Sequence, residues 1–354
     1  MKIETNYNPR TQARRCARWP IQSGAFAITS VLLISLLGCG KEPSSEDGLT
    51  PLSLRLAWVY DMAEVGIFVA QDAGYYADEG LNLEIKPGGF GLDPFKMVAA
   101  GSDDIGVGGA VNLLLAREKG LPVVAIAAEF QETPVGFIVR ADSAIRSFPD
   151  FAGKRVGIQT GTDTDTLYRA LLQHHNMDAD AIDEVAIQYD PTPFVTGRID
   201  VLPGYVTNQP ITLANRGIAT RVITAKESGL EIYGNIYFVT QESLEKRPDT
   251  IAAFLRATRR GWELALSSPE AAMAAMQKRS DDFEEADLRS IHAAVKPFIL
   301  PPDSSADLLM QMTAEKWQRT AAVLNAAGLA ESSDSWADAY TPASTSNPAK
   351  NDAD

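Results

Sequence analysis

Cysteine, histidine and positive charge are all scarce in this chain, and each shortage excludes a class of protein. The 354 residues include only 2 Cys and 3 His, too few for a disulfide framework or a zinc cage. Lys and Arg number 32 against 46 Asp and Glu, which argues against nucleic acid as a partner because phosphates require a basic surface. Hydrophobic residues make up 45% of the chain, as in globular proteins, and the length suggests about two domains. We therefore expect a globular protein with no metal site, no cofactor and no nucleic-acid partner.

Long hydrophobic runs are also missing, apart from a short one near the N-terminus. Residues 1–20 carry five basic side chains and one acidic side chain, and residues 25–37 form an uncharged, largely apolar run of 13 residues. Such a run is short for a bilayer core of about 30 Å but typical of an export signal. It ends in LLGC, which resembles a bacterial lipoprotein box with Cys39 as the lipidated residue. We predict a signal peptide over residues 1–38 and a membrane-tethered, periplasmic protein; a plain N-terminal anchor is the alternative.

Downstream, the hydrophobic pattern switches repeatedly between the strand period and the helix period. Residues 52–58 alternate as a strand, residues 65–77 have helical spacing, and similar pairs follow until residue 240, after which all spacing is helical. Strands separated by helices predict mainly parallel sheets flanked by helices. The predicted organisation is a tether (39–50), lobe 1 with a helical C-terminal extension (51–138 and 237–330), an inserted lobe 2 (139–236) and a disordered tail (331–354).

Ligand sites in such α/β folds form where strand C-termini meet helix N-termini, here in the cleft between the lobes. The segments after the predicted strands offer aromatic, amide, hydroxyl and carboxylate groups and no Lys or Arg. Sites for sulfonate or phosphate usually offer a cation, so these segments favour a neutral or weakly basic heteroaromatic ligand. The candidates are Trp58, Phe90, Phe130 and Tyr205 for stacking, and Asp61, Gln131, Thr160, Thr162, Asp190 and Asn208 for polar contacts.

Some of these features also have a structural interpretation. Asp61 precedes a predicted helix that it is suited to cap, and Trp58 is compatible with a place in the core. Capping by Asp163 or Thr164 explains the polar residues after the strand that ends near residue 158 better than a metal or nucleotide site does. Helix N-termini can also hold a small anion without a cation, which leaves an anionic ligand open.

Several short motifs resemble a known family. Residues 70–81, AQDAGYYADEGL, resemble a segment of the solute-binding proteins of bacterial ABC importers. Residues 87–89 (PGG), 130–131 (FQ) and 204–210 (GYVTNQP) follow in the order found in the subgroup related to thiamine-pyrimidine synthase and to thiamine-precursor binding proteins. The resemblance covers about residues 52–272. It implies a type II periplasmic-binding-protein fold whose two lobes close on a small ligand, with an ABC permease and an ATPase as partners.

The resemblance implies an extracytoplasmic solute-binding lipoprotein for a vitamin-like compound, either the pyrimidine precursor of thiamine or riboflavin. Family members that bind alkyl sulfonates, taurine or nitrate give the alternative ligand class. An enzyme similar to thiamine-pyrimidine synthase is another alternative, but that enzyme resembles a suicide catalyst that needs a histidine, a PLP-bearing lysine and a cysteine-rich run. This chain has no cysteine after residue 39, so we expect a binder and not an enzyme. A sensory lipoprotein that presents its ligand to a receptor stays open.

Overall fold

The computed structural model describes residues 48–89, 91–280, 283–326, 328–330 and 336–341. The predicted signal peptide, Cys39 and most of the predicted tether lie outside the described residues. Thr50, which we assigned to the tether, is the first residue of a strand. No helix in the described part of the chain is long and apolar enough to cross a membrane.

Ten strands alternate with helices along the described chain. The strands are β1 (Thr50–Arg55), β2 (Leu81–Lys86), β3 (Ile105–Gly109), β4 (Val123–Ala128), β5 (Val135–Arg140), β6 (Arg155–Ile158), β7 (Asp183–Ala186), β8 (Val201–Tyr205), β9 (Thr220–Thr224) and β10 (Asn235–Thr240). The α-helices are α1 (Val65–Asp72), α2 (Tyr75–Asp78), α3 (Pro94–Ala99), α4 (Ala110–Glu118), α5 (Asp163–His174), α6 (Thr192–Val195), α7 (Gln209–Asn215), α8 (Gln241–Lys246), α9 (Pro248–Ser267), α10 (Pro269–Gln277), α11 (Glu285–Ile299) and α12 (Ala314–Ala326). Short 3-10 helices lie at Met62–Glu64, Phe148–Phe151, Ala179–Ala181 and Ala306–Leu308.

The strands form two mixed five-stranded sheets with the orders β2-β1-β3-β10-β4 and β7-β6-β8-β5-β9. In the first sheet β1 pairs in parallel with β2 and β3, and β10 is antiparallel to β3 and β4. In the second, β6 pairs in parallel with β7 and β8, and β5 is antiparallel to β8 and β9. One strand in each sheet therefore opposes four others, which confirms the prediction of an α/β fold with two mainly parallel sheets.

We call the first sheet with its helices lobe 1 and the second sheet with its helices lobe 2. Strand β5 pairs wholly within the second sheet and β10 within the first. The chain therefore crosses between the sheets just before Val135 and again before Asn235, a few residues earlier than the predicted boundaries at 138 and 236. The division into two lobes remains our proposal, with these crossings.

The helices that follow β10 pack back mainly on lobe 1. Helix α9 lies against α1, and α10 and α11 extend the same layer. The fully buried Trp262 of α9 donates from Nε1 to the hydroxyl of Tyr237 in β10 at 2.9 Å, which joins this layer to the sheet. Helix α12 packs against both α4 and α5, so the C-terminal part of the chain contacts both lobes and not lobe 1 alone.

The predicted disordered tail is ordered at residues 336–341. The amide of Ala125 in β4 donates to the carbonyl of Ala339 at 2.9 Å, and the amide of Thr341 donates to the carbonyl of Ala125 at 2.9 Å. Ala339 is buried, and the Tyr340 ring stacks on Trp317 of α12 with centroids 5.7 Å apart. The prediction of disorder was wrong for these six residues. It relied on the Ser- and Asp-rich composition of the whole tail, which does not show that this short segment packs against the protein through Ala339 and Tyr340. The rest of the tail lies outside the described residues.

Removing this anchor is expected to destabilise the protein without weakening ligand binding. Tyr340→Ala deletes the stack on Trp317 and should lower the free energy of unfolding by about 1–3 kcal/mol. Thermal unfolding followed by circular dichroism measures the effect. Asp338→Asn, a change at an exposed neighbour, is the control and should stay within about 0.5 kcal/mol of wild type. Equal melting temperatures for the two variants would show that the docked segment contributes nothing.

Candidate ligand site between the two sheets

Polar side chains that follow strands of different sheets meet between the two lobes. Asp61 follows β1, Asn208 follows β8, and Asn208 Nδ2 donates to Asp61 Oδ2 at 2.9 Å. Asp61 also accepts from the amide of Ala63 at 3.2 Å and so begins a 3-10 helix. Asp61 therefore has both predicted roles: its Oδ1 caps the 3-10 helix, and its Oδ2 contacts lobe 2.

A second contact between the lobes joins α4 to α5. Asn112 in the first turn of α4 donates from Nδ2 to Asp163 Oδ1, and the hydroxyl of Thr166 donates to Asn112 Oδ1 at 3.3 Å. Gly109 lies at the end of β3 beside this contact. A Cβ atom at Gly109 would lie 2.5 Å from Asp163 Oδ2, closer than atoms pack, so the glycine permits the lobes to approach this closely.

A third contact links β8 to β10 and leads to a buried acid. The hydroxyl of Tyr205 donates to Asn235 Oδ1 at 3.1 Å. The carbonyl of Asn235 accepts from the amides of Glu129 and Phe130 at 2.9 and 3.0 Å. The hydroxyl of Tyr237 donates to Glu129 Oε1 at 2.8 Å. The Glu129 carboxyl is thereby held just behind the surface where the lobes meet.

Four carboxyl groups, from Asp61, Glu64, Glu129 and Asp163, have raised pKa values here. Burial raises the pKa of Glu129 to about 8, and burial together with the charges of Glu129 and Asp61 raises the pKa of Glu64 well above its usual value. Burial also raises the pKa of Asp163 to about 6 and the pKa of Asp61. Burial, together with the charges of these four acids, raises the pKa of the Tyr205 phenol well above its usual range. We call Asp61, Glu64, Glu129, Asp163, Tyr205 and Asn235 the inner site.

A cavity of about 530 Å³ opens beside the inner site. It lies between residues 59–61 of lobe 1 and two segments of lobe 2, residues 188–191 and 208–213, with Arg216 and Phe283 also in its wall. The rings of Trp58 and Tyr189 lie across the interface with centroids 5.2 Å apart. A volume of this order fits a small organic molecule.

Five of the predicted site residues lie at this interface: Trp58, Asp61, Asp190, Tyr205 and Asn208. Thr162 caps α5 and donates to the carbonyl of Gln159 at 2.7 Å, and Thr160 is exposed next to it. The roles of all seven residues towards a ligand stay predictions. Phe90 lies outside the described residues.

Phe130 and Gln131 do not line the cavity. Phe130 is fully buried in the hydrophobic core of lobe 1. Gln131 is 2% exposed, and its Nε2 donates to the carbonyls of Leu308 and Gln311 at 3.0 and 2.9 Å. The structure gives both residues a packing role, because the loop before α12 covers this end of β4.

The candidate set omitted Glu64, Asn112, Glu129 and Asn235, which the structure brings to the inner site or its edge. Each adjoins or interrupts an otherwise apolar segment: Glu129 comes directly after VVAIAA, and Asn112 interrupts AVNLLLA. A charged or amide side chain in such a place is rarely buried without a reason, and this was the signal available in the sequence. Asp163 was interpreted as a helix cap, but Thr162 caps α5, and the Asp163 carboxylate instead accepts from Asn112.

Three comparisons place the chain among known proteins. Residues 62–272 match the model of a family described as NMT1/THI5 like. The formylaminopyrimidine-binding protein of Halalkalibacterium halodurans is 24% identical over 73% of this chain and 80% of its own length. The riboflavin-binding protein RibY of Chloroflexus aurantiacus is 25% identical over 81% of this chain and 84% of its own length.

An enzyme and a binding protein of known structure are also similar. The 4-amino-5-hydroxymethyl-2-methylpyrimidine phosphate synthase of Legionella pneumophila is 29% identical over 62% of this chain and 71% of its own length. The crystal structure of the periplasmic aliphatic sulphonate binding protein SsuA from Escherichia coli superposes with a TM-score of 0.65, at 17% identity over 82% of this chain and 92% of that chain. This likeness shows that the chain has the periplasmic-binding-protein fold.

Proposed function

The chain belongs to the NMT1/THI5-like family, and from this premise we propose that it is the extracytoplasmic solute-binding protein of an ABC importer. The observation that carries the proposal is the set of three contacts between side chains of opposite lobes: Asp61 with Asn208, Asn112 with Asp163, and Tyr205 with Asn235. A ligand held among groups from both lobes favours the closed arrangement, and a membrane permease can recognise closure as a change of surface. Export, periplasmic location and a lipid on Cys39 belong to the same proposal.

The proposed ligand is a small heteroaromatic compound, either the pyrimidine precursor of thiamine or riboflavin. Aromatic rings, amides and carboxyls line the interface, and such groups stack on a flat ring and bind its N–H and nitrogen atoms. Two relatives are named for a pyrimidine and for riboflavin. Arg216 in the cavity wall is exposed, and four carboxyl groups lie nearer the contacts between the lobes, so a sulfonate or nitrate ion is the less favoured ligand.

Binding without catalysis is the proposed role, although synthases are among the relatives. Two of the three histidines, His175 and His292, bind backbone carbonyls. His175 Nε2 pairs with the carbonyl of Ser228 at 2.9 Å, and His292 Nε2 pairs with the carbonyl of Ala265 at 2.8 Å. None of the three contacts that carry the proposal involves a lysine or a histidine. These contacts support a binder, because a PLP-dependent synthase requires both at its site.

Identification of the natural ligand tests this proposal. Small molecules released by denaturing the purified full-length protein are identified by mass spectrometry, and the melting temperature is followed with hydroxymethyl-pyrimidine, riboflavin, taurine and nitrate. A ligand at 100 times its Kd adds about 2.7 kcal/mol to the stability, so the correct compound should raise the melting temperature by several degrees. We expect a heteroaromatic compound to be released or to stabilise the protein. Stabilisation by taurine or nitrate alone would contradict the ligand class.

The Trp58→Ala variant tests whether the ligand contacts Trp58. Trp336→Ala is the control. The Trp58 variant is expected to bind about 10- to 100-fold more weakly, since a lost aromatic contact costs roughly 1–3 kcal/mol. Trp336 belongs to the docked C-terminal segment, so its replacement should leave the affinity unchanged. Equal affinities for both folded variants would remove Trp58 from the site.

A further inference from the structure

The cavity beside Asp61 has a third wall that neither sheet supplies. Besides residues 59–61 of lobe 1 and the two segments of lobe 2, Phe283 lines this cavity. Phe283 lies in the connection between α10 and α11, in the helical extension, and packs against the hydrophobic core of lobe 1. The match to the family model ends at residue 272. This wall therefore belongs to a part of the chain that the match to the family does not account for.

The start of α11 is held between the other two walls of the cavity. Helix α11 packs against the 3-10 helix Met62–Glu64, which Asp61 caps, and against α7 of lobe 2. Asn215 at the end of α7 donates from Nδ2 to Asp287 Oδ1 in the first turn of α11 at 2.5 Å. Ile211 of α7 packs, like the extension, against the hydrophobic core of lobe 1. The start of α11 is therefore fixed to lobe 2 as well as to lobe 1.

Three aromatic side chains line the cavity, and each comes from a different part of the molecule. They are Tyr60 of lobe 1, Tyr189 of lobe 2 and Phe283 of the extension. Tyr60 packs on Phe68 with ring centroids 5.5 Å apart, and Tyr189 packs on Trp58. Among the described residues, no ring contact joins any two of the three. Rings that line one cavity without touching one another suit a flat aromatic ligand that packs between them.

Phe283 has no hydrogen-bonding group in its side chain, so it acts on a ligand through contact and size alone. The residue is half-buried, with part of its surface against the core and part in the cavity wall. Removal of the ring deletes a packing surface for a ligand that reaches it and leaves space for a longer ligand. A residue of this kind selects ligands by their size.

We propose that Phe283 is a specificity-determining residue that limits the length of an aromatic ligand at this end of the cavity, and that the hydrogen bond between Asn215 and Asp287 positions it. This inference rests on the proposed function and adds a residue of the helical extension to the ligand site. Closure on the ligand then includes the contact between α7 and α11, in addition to the three contacts between the lobes described above.

Calorimetry with a short and a long probe tests the proposal on the full-length protein. Hydroxymethyl-pyrimidine has a single ring, whereas riboflavin has a fused ring system. Phe283→Ala should change the ratio of the two affinities at least about ten-fold in favour of riboflavin, because the short probe loses a contact and the long probe gains space. Phe283→Leu keeps an apolar side chain against the core and should shift the ratio in the same direction by less. Phe283→Trp should shift it in the opposite direction.

Phe298→Ala is the matched control for Phe283→Ala. Phe298 of α11 is half-buried and packs against the same hydrophobic core as Phe283, but it is not among the described residues that line the cavity. Its replacement should lower the melting temperature, as Phe283→Ala does, and leave the ratio of the two affinities unchanged. An equal shift of the ratio in both variants would show a general effect of the helical layer and would overturn the role of Phe283.

A double-mutant cycle tests the positioning role of the hydrogen bond between α7 and α11. Asn215→Ala and Asp287→Ala should each lower the affinity for the more tightly bound probe about three-fold, as expected for the loss of one hydrogen bond. The double variant should bind no more weakly than either single variant, because both changes break the same contact. Additive losses in the double variant would exclude this bond as the contact that positions Phe283.

The outcomes separate this inference from the proposed function. A ratio in Phe283→Ala that stays at the wild-type value, or moves towards the pyrimidine, overturns the role of Phe283 while the solute-binding function stands. If the co-purified ligand is a different compound, that ligand and a ring-extended analogue replace the two probes, with the same expected shift. If no compound raises the melting temperature and denaturation releases no small molecule, the solute-binding function fails, and this inference fails with it.

Discussion

Gly109→Ala is expected to weaken ligand binding at least about ten-fold while leaving the fold intact. The backbone of Gly109 has φ −67° and ψ 139°, a conformation that alanine adopts without strain. The new Cβ atom would lie 2.5 Å from Asp163 Oδ2 and 2.8 Å from its Cγ, and Asp163 belongs to the other lobe. The methyl group therefore obstructs the approach of the lobes and nothing within lobe 1. Calorimetry with hydroxymethyl-pyrimidine or with the co-purified ligand measures the affinity.

The adjacent glycine provides the control for Gly109→Ala. A Cβ atom at Gly108 would lie 2.6 Å from Phe95 Cζ, and Phe95 packs on Phe238 inside lobe 1 with ring centroids 4.4 Å apart. Gly108→Ala should therefore lower the stability by about 1–3 kcal/mol through overpacking and leave the affinity of the folded protein unchanged. An unchanged affinity in Gly109→Ala, or an equal loss of stability in both variants, would contradict closure of the lobes at this point.

The order of strands and helices could be predicted from the sequence because hydrophobic residues repeat every second position in a strand and at a longer period in a helix. Leu52 and Leu54 of β1, for instance, alternate with polar residues and are both buried. The direction in which a side chain after a strand points has no such local signal. Gln131 is buried by hydrogen bonds to Leu308 and Gln311, roughly 180 residues further along the chain, and no periodicity near residue 131 records that contact. Site residues were therefore less predictable than the sheets.

Buried acids were the other feature that the sequence concealed. Acidic side chains usually lie at the surface or cap helices, and both interpretations suited Glu64 and Asp163. Glu129 differs from an exposed acid only through its surroundings, which come from β10: the Tyr237 hydroxyl donates to its Oε1, and the Asn235 carbonyl accepts from its backbone amide. Because these partners follow more than 100 residues later, only the assembled fold reveals an acid that is buried without a cation.

The stability of the empty protein is expected to fall as the pH rises from about 5 to about 8. The pKa of Glu129 is raised from 4.5 to about 8, so between these values the folded protein holds a proton that the unfolded chain has released. Stability falls with pH wherever the folded state binds more protons, and Glu64, whose pKa is raised in the same direction, adds to the effect. A loss on the order of 5 °C in melting temperature is expected over this range.

Two further measurements test this expectation: the melting temperature of Glu129→Gln between pH 5 and 8, and the melting temperatures of both proteins below pH 4. The variant cannot ionise at residue 129, so its melting temperature should vary less between pH 5 and 8 than that of the wild type. Below about pH 4 both proteins should lose stability, because Arg155 lowers the pKa of Asp200 through a 2.6 Å ion pair and protonation removes that pair. The wild-type optimum should therefore lie near pH 5. A profile that is flat or rises from pH 5 to 8 would contradict the raised pKa of Glu129 and would mean that this carboxyl is ionised in the empty protein.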